Sequence, residues 1–146
     1  MKHRLAITAL CVLVIDLALK HLPLGPERAL IPGVIGISYA RNTGVAFGML
    51  SGHPALSLVL TALLIIAGSL VLRGLSLSRF ESVCAGLIVG GALGNLTDRL
   101  IYGWVHDYLR FLFVDFPVFN AADIAVTTGA VLLMIALLFD IKKETA

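Results

Sequence analysis

Four long apolar runs, at about 5–22, 54–72, 82–101 and 121–141, decide what this chain can become. Each approaches the roughly 20 residues that a helix needs to cross about 30 Å of hydrocarbon. Inside lipid only helices and closed barrels satisfy every backbone group, and runs of this length and period read as helices. Composition agrees: 59% of the residues are apolar and 14% charged, where soluble chains average about 45–50% and about 25%. The expected fold is an all-α integral membrane protein with four transmembrane helices. One domain over 1–146 accounts for the whole sequence, with no linker, repeat or low-complexity tract. A net charge of +2 is too small to imply nucleic acid.

Basic residues set the orientation. Lys2 and Arg4, Arg73 and Arg79, and Lys142 and Lys143 fall at one set of span ends. The positive-inside rule then puts both termini and the 73–81 turn in the cytoplasm, and the connections 23–53 and 102–120 outside. The start of the chain imitates a signal peptide but has no small-residue cleavage site, so it reads as a retained first span. Cys11 and Cys84 lie inside apolar runs and are expected as buried, reduced thiols.

The first outer connection holds Pro23, Gly25, Pro26, Pro32 and Gly33, which are turn signals, and then the β-branched and aromatic stretch 34–40. A strand there, followed by a second strand or tight turn over 42–48, suggests a small outer sheet. The second connection holds seven of the eleven aromatics, from Tyr102 to Phe119, and is expected to lie along the membrane surface.

Against this apolar background the carboxylates stand out. Asp107 and Asp123 flank the aromatic stretch near span ends, where a lone carboxylate costs roughly 2.5–3.5 kcal/mol on insertion scales. Two carboxyls that meet can share one proton and perform acid–base chemistry. Asn120 and Asp123 also fit a capping box at the start of the fourth span, so capping and catalysis both remain open for them. Asp16 and Lys20, four apart, share a helix face and read as an intramembrane pair. The run Gly90-Gly-Ala-Leu-Gly-Asn95 is small enough for close helix packing. Asp98 and Arg99 read as a salt bridge at a helix end, while Asn95 and Asp98 share a face and could order a site. Asp115 is expected to be solvated. The four histidines show no metal-ligand spacing, and there is no GxSxG elbow, P-loop or dinucleotide fingerprint.

Together these motifs resemble the bacterial lipoprotein signal peptidases (signal peptidase II). The resemblance rests on Asp16-Leu-Ala-Leu-Lys20, Asn42-Thr-Gly-Val-Ala-Phe-Gly48, Gly91-Ala-Leu-Gly-Asn-Leu-Thr-Asp-Arg99, Gly103-Trp-Val-His-Asp107 and Phe119-Asn-Ala-Ala-Asp123. Leu17 departs from the Gln usual in that family, and Tyr108 stands where it often has Phe. The resemblance implies an inner-membrane aspartic endopeptidase that acts without cofactor or metal, as a monomer, at the periplasmic side. It implies a prolipoprotein substrate, cut just before a cysteine already carrying diacylglycerol, with membrane lipid as the other partner. Asp107 and Asp123 match the catalytic pair. Asn42, Asn95, Asp98, Arg99 and Asn120 match the supporting polar residues, and Asp16 and Lys20 the first-helix pair. A periplasmic β-cradle at about 23–53 and a periplasmic surface helix at about 105–116 complete the implied fold.

Two other readings of the residues compete. A proton-coupled carrier would use Asp16, Asp98, Asp107 and Asp123 as a relay spread through membrane depth. A non-catalytic membrane subunit would need them only for stability.

Overall fold

The computed structural model describes residues 2–44 and 51–139. Most of the Asn42–Gly48 block, and Lys142 and Lys143, therefore lie outside the described residues. The elements run α1 (Lys2–His21), β1 (Arg28–Ile31), β2 (Ile35–Asn42), α2 (Pro54–Arg73), α3 (Arg79–Tyr102), β3 (Val105–Phe111) and α4 (Ala121–Leu138). Among them α2, α3 and α4 are long and apolar enough to cross a membrane. The 20-residue α1 is as long as α2, but Arg4, Asp16 and Lys20 interrupt its apolar run.

Helix α3 is the axis of the bundle, and glycine is why. A Cβ on Gly86 would lie 2.6 Å from Thr8 Cβ, and one on Gly90 would lie 2.6 Å from the Ala9 carbonyl oxygen. Gly94 abuts the Asp16 carboxylate, and Gly91 abuts the Ala122 carbonyl oxygen of α4. One α3 face thus takes α1 and the next takes α4, at separations that only small residues permit. The α3 ends are equally defined. Ser78 Oγ accepts from Glu81 N at 3.2 Å while Glu81 Oε2 accepts from Ser78 N at 2.6 Å, a reciprocal cap. Gly103, with φ near 80°, closes the helix in the left-handed region and turns the chain into β3.

The helices are inside out relative to a soluble bundle. On α1, Ile7, Leu10, Val14 and Ile15 face outward while Asp16 is fully buried. Cys84 is buried as expected, whereas Cys11 is exposed because it shares the outward face with its apolar neighbours.

At one end the strands form an antiparallel sheet in the order β1-β2-β3. Strands β1 and β2 both come from the first connection. Strand β2 covers the stretch expected at 34–40, whereas β1 lies between the turn residues Pro26 and Pro32, where no strand was expected. Most of 42–48 lies outside the described residues. The third corrects an expectation: no helix occupies 105–116. Val105–Phe111 is instead a strand paired with β2, with Ala40 opposite Asp107 and Asn42 opposite Val105. Its β-branched and aromatic residues suit a pleated surface, and β2 supplies backbone partners that a surface helix would forgo. The chain after it, 112–119, is irregular, and Asp115 is exposed.

Candidate active site

The N-terminus of α4 is where the elements converge. A helix start leaves four N–H groups without intrahelical partners, and burying them unpaired is costly. Here Ala121 N donates to the Tyr108 hydroxyl of β3 at 3.2 Å, and Ala122 N donates to Asp16 Oδ1 of α1 at 2.9 Å. Asp123 N donates to Asn120 Oδ1 at 2.9 Å, and Asn120 N returns a bond to Asp123 Oδ2 at 3.1 Å. The capping box expected at Asn120 and Asp123 is present. It leaves Asn120 Nδ2 and Asp123 Oδ1 free to act beyond the helix.

Those two atoms join the carboxyls. Asn120 Nδ2 donates to Asp107 Oδ1 at 2.7 Å, so one asparagine touches both aspartates, Asp107 through its side chain and Asp123 through its backbone. Asn42 Nδ2, at the end of β2, donates to Asp107 Oδ2 at 3.0 Å. Asn95 Nδ2, on α3, donates to Asp123 Oδ1 at 2.8 Å. Every carboxyl oxygen of the pair therefore accepts from an uncharged amide. Neither aspartate has a salt bridge among the described residues.

Asp107 is 2% exposed. Burial, and then the neighbouring charge of Asp123, push its pKa up to about 7, against the lowering effect of the Asn42 and Asn120 bonds. A carboxyl that keeps a proton near neutrality can donate it. Tyr108 is pushed up to about 12, mainly by burial, and stays a phenol.

Beneath the pair lies a charged layer. Lys20 Nζ donates to Asn95 Oδ1 at 2.9 Å and forms ion pairs with Asp16 Oδ2 at 2.8 Å and Asp98 Oδ2 at 3.2 Å. The ammonium thereby fixes which way the Asn95 amide points: oxygen to Lys20, nitrogen to Asp123. The Asp16–Lys20 pair read from their spacing is real. The Asp98–Arg99 pair is not. Consecutive helical residues point about 100° apart, so Asp98 turns to Lys20 and to His106, whose N donates to Oδ2 at 2.9 Å. Arg99 turns the other way, donating from Nη2 to the Gly44 carbonyl at 2.6 Å and from Nη1 to the Asn95 carbonyl at 3.3 Å.

All nine residues singled out in the sequence thus fall within one continuous network. Sequence reading missed Tyr108 and His106. Their adjacency to Asp107 was the available signal, but a strand had to be recognised before it could be used. No cluster of His, Cys, Asp and Glu among the described residues has the arrangement of a metal site.

Comparison with known proteins gives one consistent answer. The family model for signal peptidase II matches residues 8–139. The lipoprotein signal peptidase of Syntrophomonas wolfei is 42% identical over 119 residues, covering 81% of this chain and 78% of that protein. That of Staphylococcus carnosus is 35% identical over 130 residues, covering 86% and 80%. A solved bacterial membrane enzyme superposes with a TM-score of 0.81 at 32% identity, covering 95% of this chain and 90% of the other. A second gives 0.77 at 33% identity, covering 95% and 92%.

Proposed function

The chain belongs to the signal peptidase II family, and from that premise we propose that Asp107 and Asp123 are its acid–base pair. Removal of signal peptides from prolipoproteins is its reaction. The observation that carries the aspartic assignment is the amide bridge of Asn120. It ties the buried Asp107 carboxyl to the half-buried Asp123 carboxyl, and neither forms an ion pair among the described residues.

Two close carboxyls in a poorly hydrated site hold one proton between them. Asp107, with its raised pKa, is the member that holds the proton. Asp123 sits at a positive helix end and accepts two N–H bonds, an environment that suits a carboxylate. Asp123 takes a proton from water as the water oxygen bonds to the scissile carbonyl carbon. Asp107 gives its proton to the carbonyl oxygen, forming a neutral gem-diol. The C–N bond then breaks as the Asp123 proton passes to the leaving nitrogen, and Asp107 recovers its proton from the gem-diol. Arg99 holds the Gly44 carbonyl, and Asn42, Asn95 and Asn120 hold the carboxyls in register. No step uses a metal or organic cofactor.

The first helix is proposed as a fourth span. At 1.5 Å per residue its 20 residues reach about 30 Å, and its charged pair is turned inward. Both termini are then cytoplasmic, and the pair faces the periplasm near the headgroups. There a diacylglyceryl-cysteine can stay in lipid while the bond before it reaches the carboxyls. A periplasm-active reporter inserted near Gly52 should be active, and one after Ala146 silent.

Purified protein on a lipidated precursor peptide tests the reading. Asp107→Asn and Asp123→Asn keep side-chain shape and one accepting oxygen each, at about 1–3 kcal/mol where the new NH2 meets an amide donor, so both variants should still fold. Each should lose cleavage by about 10²–10⁴ or more, and the double variant should be hardly worse. An unlipidated precursor should be cut poorly. Substantial cleavage by folded Asp123→Asn would return that residue to capping alone.

A further inference from the structure

Strand β3 presents two faces, and the carboxyl pair uses one. In an antiparallel ladder opposed residues share a face and neighbours alternate. Ala40 opposes Asp107 and Asn42 opposes Val105, which defines the face of the pair. Arg41 opposes His106, so both point to the other face. There the Arg41 guanidinium lies over the Trp104 indole, 4.7 Å from the ring centre. The two border a cleft of about 270 Å³ lined also by Leu24, Tyr39, His106 and Tyr108 and, from the side of the pair, by Lys20, Ala40 and Asp107.

Its charges are unequal in availability. Lys20 is already paired with two carboxylates and bonded to Asn95, and both Asp107 oxygens are taken by asparagines. Arg41 is exposed and makes neither an ion pair nor a hydrogen bond among the described residues. The buried indole N–H of Trp104 also lacks a partner. The cleft therefore offers unused donors and a free positive charge. Two of its lining rings, Trp104 and His106, pack against Tyr102 and His21, where α3 and α1 end. Aromatics so placed mark headgroup depth.

We propose that this cleft binds the phosphate of an anionic membrane phospholipid, with Arg41 on Trp104 as its anchor. A guanidinium pairs with phosphate through two parallel N–H bonds, and the indole beneath holds it flat for that approach. The acyl chains can follow the outward apolar residues Ile15 of α1 and Leu22 just beyond its end. The substrate's glyceryl group is uncharged and leaves the cation unanswered, which favours a resident lipid over the substrate. The site rests on the four-span reading, which puts the ends of α1 and α3 at headgroup depth.

Trp104 is the only tryptophan, so its fluorescence reports on the site directly. The full chain in neutral detergent is titrated with short-chain phosphatidylglycerol, phosphatidylcholine and inorganic phosphate. Phosphatidylglycerol should shift the emission saturably, and Arg41→Gln should bind it about tenfold more weakly, with partial recovery in Arg41→Lys. Equal responses in wild type and a folded Arg41→Gln would overturn the site. So would a response only to the lipidated precursor, and an equal response to inorganic phosphate would remove lipid as the occupant. In vesicles, a spin label on the headgroup should quench Trp104. Lost quenching with the detergent response intact would overturn the span reading and the membrane source. A lost Arg41-dependent response with quenching intact would overturn the site alone.

Discussion

Helices α2 and α3 are adjacent in sequence and both membrane-length, yet they do opposite work. The more apolar of the two, α2, buries only Ser57 within the protein. The less apolar, α3, buries ten residues, among them Glu81, Asp98 and Arg99. In water the ranking would be reversed. With lipid as solvent, apolar side chains gain nothing by turning inward, so the interior goes to glycines and to polar groups that need partners. Apolarity tells which helix meets lipid, and small and polar residues tell which helix meets protein.

Glycine substitution should break this contrast most visibly. A side chain at Gly91 meets the Ala122 backbone, which cannot yield, whereas Gly68 of α2 has nothing within 4 Å. Gly91→Leu should abolish recovery of folded, active enzyme, at a cost beyond the usual 1–3 kcal/mol or so of overpacking. Gly68→Leu should leave yield and cleavage rate near wild type. Equal damage at both sites would mean that α2 packs against protein after all.

Lys20→Met probes the polar half of the contrast. It leaves Asp16 and Asp98 buried without their cation, at about 3–5 kcal/mol. Unfolding in detergent should reveal that loss, and Thr61→Val on α2 should show almost none.

The pH profile sharpens the comparison further. Asp107 loses its proton as pH rises through about 7, so cleavage should fall on the alkaline side with the acid form. The Asn42 bond lowers that pKa. Removing it in Asn42→Ala should move the alkaline limb upward by about a unit while lowering the rate. Gly68→Leu should leave the limb in place.

Ser57→Ala should give a small but readable effect. The hydroxyl donates to the Thr43 carbonyl at 2.8 Å, and losing it should cost about 0.5–1.5 kcal/mol. A thermal shift in detergent would register it.

Much of this was legible in the residues because it is local. Run length gave the helices, the Asn120–Asp123 spacing gave the cap, and the Asp16–Lys20 spacing gave a pair on one face. What crosses between elements was not legible. Nothing in the order Asp98-Arg99 reveals that the cation for Asp98 comes from α1, or that Asn95 reaches Asp123. The strand at Val105–Phe111 was obscured by its own aromatics, which suit an interfacial helix equally well until β2 is known to lie beside it.

The first turn of α4 takes its hydrogen-bond acceptors from α1, from β3 and from Asn120. That arrangement has a consequence in time. During synthesis α1 emerges well before α4 and β3 just ahead of it, and Asn42 is already available to one oxygen of Asp107. Asp123 arrives last, and its position depends on the N–H groups beside it finding Asp16 and Tyr108 already in place. The nascent chain is therefore inert until its final helix docks, and hydrolytic competence arrives in the same event as completed folding.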